Sequence, residues 1–300
     1  MVNFEAKLSK TTNFSKKPTM KKHYLALVAM AAMAAAPAFG QVRAAAEPVK
    51  LLSAPCGLMA PVWSPDGSKI AVTSDNYQGI FIAEADGANL RQLTADAGTG
   101  YKMAWSADSR TILSRAKIEQ GGRNFYEMRT YALDGSATVT AAKARTSAQP
   151  GATAATGIYR AMTADPANAT ASVAALSQFA GKTVINPALS PDGSAIAFQI
   201  PGKGMWLINA DGSGLRSLGQ GSHPAWMPDN RTIVYTIVED NGQNFTASTL
   251  RSMDLRTGAT ADILATAGYI PMTPAVAPDG SKVAFENAAD ASIYVVELAK

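Results

Sequence analysis

Along most of the chain, apolar and polar residues alternate in short runs that break at Pro, Asp, Asn and Gly. That period of two marks half-buried β-strands, with turn residues between them. The runs IFIAEADG (80–87), YEMRTYALDG (126–135), MWLINADG (205–212) and LRSMDLRTG (250–258) each end in such a turn. Shorter strands follow them, as in LRQLT (90–94), LRSLG (215–219) and TADILA (260–265). The pattern predicts an all-β chain of many short strands.

Ahead of each of these runs stands a repeated unit: PVWSPDGSKIAV (61–72), MAWSADSRTILS (103–114), PALSPDGSAIAF (187–198), PAWMPDNRTIVY (224–235) and PAVAPDGSKVAF (274–285). Asp66, Asp108, Asp192, Asp229 and Asp279 share one column, followed by Gly67, Ser109, Gly193, Asn230 and Gly280. This is turn chemistry, in which Asp bonds the nearby backbone and Gly or Asn accepts a positive φ, so the aspartates are read as structural. Ser109 departs from the rule and predicts the least regular turn. Ile70, Ile112, Ile196, Ile233 and Val283 follow in one β-branched column suited to an inner strand. Trp63, Trp105 and Trp226 recur just before the turn, where a large ring fills a wedge between sheets.

Four strands and two turns per repeat describe a propeller blade. The interval from Asp108 to Asp192 is twice that from Asp66 to Asp108, which places a degenerate blade at 144–186. There GIYRAMTA (157–164) and KTVIN (182–186) read as strands, because a structureless loop of that length is uncommon in a compact domain. The expected fold is therefore a six-bladed β-propeller of four-stranded antiparallel blades, with five blades as the alternative. The last repeat stops at IYVVELAK, so the segment Val49 to Ser53 is expected to supply its fourth strand and remove the open edge.

Units of the form P-x-W-S-P-D-G followed by I-x-x-A-D-G and L-R-x-L-T resemble the TolB-like propeller repeat, which also occurs in the N-terminal propellers of prolyl oligopeptidase-like enzymes. The resemblance covers about residues 49–300. It implies a propeller fold shared by docking proteins and by enzyme accessories.

Composition sharpens this picture at the N-terminus. Residues 1–40 hold six lysines and one acid, and setting these aside leaves the remaining chain near −1 rather than the overall +4. Met20-Lys21-Lys22, an uncharged run from Leu25 to Ala36 and the small residues of Ala38-Phe39-Gly40 form a cleavable export signal (about 20–40) behind an upstream extension. A linker (41–48) and the propeller (49–300) follow, with a periplasmic or secreted location and no later membrane span. The near-neutral charge argues against nucleic acid. The lone Cys56 makes no intramolecular disulfide and reads as a partly buried loop thiol.

Candidate chemistry is sparse. The chain has no G-x-S-x-G elbow, no phosphate-cradling loop and, past residue 40, one histidine, so neither a metal site nor a cofactor is expected. Loops between strands two and three and between blades share one rim of a propeller. That rim should carry Tyr77, Tyr101, Lys102, Arg115, Glu119, Arg123, His223, Glu239, Asp240 and Tyr269, together with Glu286. The expected function is a monomeric, non-catalytic scaffold that binds an envelope protein or peptide. The alternative is a propeller that binds a small ligand or glycan, or processes a carbohydrate or peptide with carboxylates at the central funnel.

Overall fold

The computed structural model describes residues 41–144, 157–265 and 267–299. The expected leader at 1–40 and part of the expected degenerate blade, 145–156, lie outside the described residues.

The chain starts with two short strands, β1 (Arg43–Ala44) and β2 (Val49–Leu52). Blade 1 is β3 (Met59–Trp63), β4 (Lys69–Ser74), β5 (Gln78–Glu84) and β6 (Arg91–Thr94). Blade 2 is β7 (Ala104–Trp105), β8 (Thr111–Gln120), β9 (Arg123–Ala132) and β10 (Ala137–Ala144). Helices α1 (Gly157–Ala164) and α2 (Ala169–Ser172) and a 3-10 helix (Ala174–Phe179) come next. Blade 3 is β11 (Ile185–Leu189), β12 (Ala195–Ile200), β13 (Gly204–Asn209) and β14 (Arg216–Gly219). Blade 4 is β15 (Ser222–Trp226), β16 (Thr232–Asp240), β17 (Phe245–Asp254) and β18 (Thr260–Leu264). Blade 5 is β19 (Pro271–Val276), β20 (Lys282–Asn287) and β21 (Ser292–Ala299).

Every blade is an antiparallel meander, and the described residues form five such sheets. The ring closes through the N-terminus: β2 pairs with β21 in the register Val49↔Val295 and Lys50↔Tyr294, while β1 pairs Arg43 with Ala299. Closure satisfies the edge of β21 that would otherwise be an unpaired ladder.

Among the described residues five blades form, the alternative to six, and the reason lies at 157–184. GIYRAMTA is helix α1 rather than a strand. Its Ile158, Ala161 and Met162 fall at helical spacing and pack with Val173, Leu176, Phe179 and Val184 against Ile196, Phe198, Ile200 and Ile208 of blade 3. Short helices bury the apolar face of blade 3 as a neighbouring sheet would. KTVIN is split, with Val184 in that cluster and Ile185 opening β11.

The other core clusters fill seams between blades. Trp63, Ile70 and Val72 of blade 1 meet Ala277, Ala284 and Ile293 of blade 5. Ile80 and Ile82 meet Ile112 and Tyr131 between blades 1 and 2. Blades 3 and 4 share Met205, Leu207, Ile233 and Tyr235, and blades 4 and 5 share Val234, Leu250, Val283 and Phe285. The three tryptophans of the repeat also donate across seams: Trp63 Nε1 to Ala275 O (3.1 Å), Trp105 Nε1 to Val62 O (3.1 Å) and Trp226 Nε1 to Ala188 O (2.9 Å).

The repeated aspartates hold the turns. Asp66 Oδ1 accepts from the Ser64 hydroxyl (2.6 Å) and from Ser68 N (3.0 Å), bonds that hold its carboxyl down at about 2. Asp108, Asp192, Asp229 and Asp279 accept backbone N–H bonds from Arg110, Ser194, Arg231 and Ser281 in the same way. The Ser109 turn is regular, closed at 3.0 Å, and the longest closure belongs to Asn230 at 3.4 Å. Ser109 holds φ +60° and its hydroxyl accepts from Asp66 N of the preceding blade (3.1 Å), while Asn230 Oδ1 accepts likewise from Asp192 N (2.9 Å). The side chain that costs the turn its glycine thus staples two blades. Cys56 is exposed rather than partly buried, on the short turn after β2.

Candidate functional site

One backbone feature repeats in all five blades and points at the axis. Ala60, Lys102, Asn186, His223 and Thr273 stand just before the twelve-residue units, and each holds a left-handed backbone, with φ of 51°, 52°, 49°, 53° and 43°. In blades 1, 3, 4 and 5 the innermost ladder slips there, between Met59 and Val62, Ile185 and Ala188, Ser222 and Ala225, and Met272 and Ala275. These are β-bulges, which turn a side chain out of its strand. Proline follows in the same four blades, at a position where a bulge has no ladder bond to lose. A non-glycine residue in this conformation costs on the order of 1 kcal/mol, and such strain gathers at functional sites.

All five residues line a central cavity of about 540 Å³. Tyr77, Tyr101, Tyr159, Thr163 and Thr183 complete its polar walls. Blades supply the ring, and the helical segment supplies Tyr159 and Thr163.

A polar chain runs around one side of the ring. Lys102 Nζ donates to Asn186 Oδ1 (2.7 Å), crossing from blade 2 to blade 3. Asn186 Nδ2 donates to Gln199 Oε1 (2.6 Å), which also accepts from His223 N (2.9 Å). On the other side Glu286 Oε2 accepts from Ala60 N (3.4 Å) and the Thr273 hydroxyl (3.2 Å). Burial raises the Glu286 carboxyl above its ordinary value.

Lys102 is exposed to the cavity but surrounded by protein elsewhere, and this burial pushes its ammonium down to about 8. Burial, reinforced by the Lys102 charge, pushes the His223 imidazole down to about 4, so the ring is neutral near pH 7. Nδ1 of His223 is buried without a hydrogen-bond partner among the described residues. A buried N–H without a partner is rarer than a buried lone pair, which assigns the proton of the neutral ring to Nε2.

The loop before β7 is fastened at several points. Asp96 Oδ2 accepts from the Tyr131 hydroxyl (2.7 Å) and from Arg129 Nη1 (2.7 Å), Lys117 N donates to Ala97 O (2.7 Å), and the Ser114 hydroxyl bonds Thr99 O. Gly100 lies so close to blade 1 that a Cβ there would sit 1.9 Å from the Thr73 hydroxyl. Tyr101 then meets Tyr77 edge-on at 5.2 Å, and the Arg115 guanidinium lies 3.9 Å over the Tyr101 ring and 4.7 Å over Tyr126. Burial lowers the Arg115 pKa.

Of the residues expected at the rim, Tyr77, Tyr101, Lys102 and His223 therefore meet at the cavity, with Arg115 directly behind Tyr101. Glu119 and Arg123 are exposed near the tip of the β8–β9 hairpin, and Glu239 and Asp240 near that of β16–β17. Asp240 borders a second hollow of about 410 Å³ with Asn244 and Phe245. Tyr269 packs edge-on against Tyr294 (5.3 Å) and Phe285 (6.4 Å), beside the core cluster of blades 4 and 5. Ala60, Asn186 and Thr273 were not singled out from sequence. Their signal was the column just ahead of the repeat, where residue type changes freely from blade to blade. No aspartate or glutamate is among the described residues lining the cavity, and Glu286 stands behind Ala60 and Thr273.

Fold and site together define a β-propeller, five-bladed among the described residues, with an axial cavity. No protein-family model matches the chain, and no curated protein matches it. Among solved structures it is similar to TolB from Acinetobacter baumannii, at 15% identity over 84% of this chain and 57% of that one, with a TM-score of 0.38. It thus spans less than two thirds of that TolB chain. An oligogalacturonate lyase in complex with manganese matches at 13% identity over 86% and 95% of the two chains (TM-score 0.40). The β-propeller domain of Cps50 (Swd1) from Myceliophteria thermophila matches at 9% identity over 84% and 99% (TM-score 0.45).

Proposed function

We propose that this chain is an exported binding protein, a propeller that docks a protein or peptide of the cell envelope at its funnel without chemical turnover. The observation that carries this reading is the ring of five residues with left-handed backbone, one from each blade, aimed at a single cavity. Its volume falls in the range of ordinary ligand pockets, roughly 300–1,000 Å³. Strands of ten and nine residues lift the second strands of blades 2 and 4 beyond the six-residue second strands of the other blades. Their hairpins occupy the same place in the blade as the turn bearing Tyr77, and so share its rim. Glu119, Arg123, Glu239 and Asp240 there supply a charged border that suits a protein partner.

No helix among the described residues is long and apolar enough to cross a membrane. The export signal is the reading of residues 20–40 given above. Amino-terminal sequencing of the protein from a periplasmic fraction should give a start at Gln41, and a start at Met1 or Met20 would remove export. A photocrosslinking amino acid at Tyr101 in living cells should capture one envelope protein, and the same label at exposed Arg110, on the turn between the first two strands of blade 2 and so at the other end of the blades, should not. Equal capture at both positions, or none at Tyr101, would defeat the docking reading.

A further inference from the structure

The funnel's charge is one-sided. Lys102 is the only cationic side chain among the described residues that line it, and no acid lines it. The Lys102 ammonium has three N–H bonds and gives one to Asn186, leaving donors for a ligand. His223 presents one further N–H from Nε2 by the tautomer assigned above. Tyr77 and Tyr101 line the same cavity. Across the ring Glu286 is held by Ala60 and Thr273, behind the cavity surface.

We infer that the Lys102–Asn186–His223 side of the funnel is a recognition site for a single carboxylate, carried by an acidic side chain of a docked peptide. The inference rests on the docking function proposed above and names the group that is gripped. A carboxylate matches the one cation present. A phosphate dianion would bring twice the charge against one ammonium, with Glu286 nearby to repel it. The titratable groups facing Lys102 across the cavity are His223, Tyr77, Tyr101 and Tyr159, with Arg115 and Glu286 one step behind the walls. His223 is neutral near pH 7, so the attraction comes from Lys102 and the hydrogen bonds from its neighbours.

The test is a calorimetric titration of the whole protein with the capped pentapeptide acetyl-Ala-Ala-Glu-Ala-Ala-amide, beside its Gln analogue, glucuronate and inorganic phosphate. The Glu peptide should bind at least ten-fold more tightly than the Gln peptide. Lys102→Met should abolish that preference, while Arg110→Met, on the strand 1–2 turn at the other end of blade 2, should keep it. Circular dichroism confirms that each variant is folded, and Lys102→Arg, which keeps the charge, should retain part of the preference. Equal binding of the Glu and Gln peptides, an unchanged Lys102→Met, or tighter binding of phosphate or glucuronate than of the Glu peptide would each overturn the inference. If Tyr101 still captures a partner but the Glu peptide shows no preference, carboxylate recognition falls and docking stands. If the preference is found but Tyr101 captures nothing, docking falls and the carboxylate site remains.

Discussion

The seam between blades 1 and 5 and the passage between blades 2 and 3 solve the same problem with different means. At the first, Trp63 is 6% exposed and donates to Ala275 O, and the blades share one apolar cluster. At the second, the residue in the tryptophan column is Leu189, 37% exposed, and the face of blade 3 is covered by helical residues such as Leu176 and Phe179. A Cβ at Gly67 would lie 3.8 Å from Pro278 of blade 5, whereas one at Gly193 would meet nothing within 4 Å. The repeat is therefore a code for seams rather than for blades. Where a blade has no sheet packed directly before it, the residue in the tryptophan column is left exposed, whereas Val276, which fills that column in blade 5, packs beside the cluster shared with blade 4.

The largest test of this contrast is a pair of truncations. Trp63→Ala should cost about 3–5 kcal/mol, because it empties a filled seam and orphans a carbonyl. Leu189→Ala, at the same repeat position, should cost less than about 1 kcal/mol, since half-exposed apolar surface contributes little. Urea unfolding of both variants measures the difference, and similar midpoints would show that the two seams are packed alike. Leu176→Ala should cost about 2–4 kcal/mol if the helical segment is the working substitute for a sheet, as its full burial demands. A negligible loss would reduce that segment to decoration.

These residues also explain what sequence could show. The aspartate turns and the β-branched column were legible because each follows from a local rule repeated five times, and the N-terminal closing strand because the last repeat lacks its fourth strand. Blade number was not, because spacing alone counts residues and cannot say what form they take. In GIYRAMTA the helical spacing of Ile158, Ala161 and Met162 was present but too short to separate from a strand. The missing tryptophan at Leu189 was no clearer a signal, since Val276 fills the same column in blade 5 and packs beside the cluster shared with blade 4. At the site, Lys102 and His223 stood out by chemistry, whereas Ala60, Asn186 and Thr273 belong to the ring only through a backbone conformation that residue type does not announce.

At the funnel the passage between blades 2 and 3 is crossed by the Lys102–Asn186 bond, and the charge of Lys102 reaches His223. Protonation of His223 is resisted in the fold, with its pKa at about 4, but not in the unfolded chain, where an ordinary histidine titrates near 6.5. Below about pH 6.5 the unfolded state binds the extra proton, so this group withdraws stability as pH falls, reaching on the order of 2–3 kcal/mol near pH 4. His223→Gln should remove that share: its stability relative to the parent protein should improve by about 2 kcal/mol between pH 7 and pH 4.5. Parallel pH profiles for the two proteins would place His223 in water rather than in the wall. In Lys102→Met the imidazole pKa, followed by proton NMR, should rise, because one of the two causes depressing it is gone.

The smallest effect isolates the staples. Ser109→Ala and Asn230→Ala each remove the acceptor for a backbone N–H of the preceding blade and should cost about 1 kcal/mol. Ser109→Gly separates the two consequences, since it also deletes the bond but relaxes a backbone held at φ +60°; it should cost less than the alanine variant. At Gly193 the reverse exchange has nothing to gain. Asn tolerates its positive φ, but a Cβ there would meet nothing within 4 Å, so Gly193→Asn should stay within about 0.5 kcal/mol of the parent. If Gly193→Asn stabilised the protein as a staple does, blade 2 would have to stand against blade 3, and the helical segment would no longer be needed to explain the exposed Leu189.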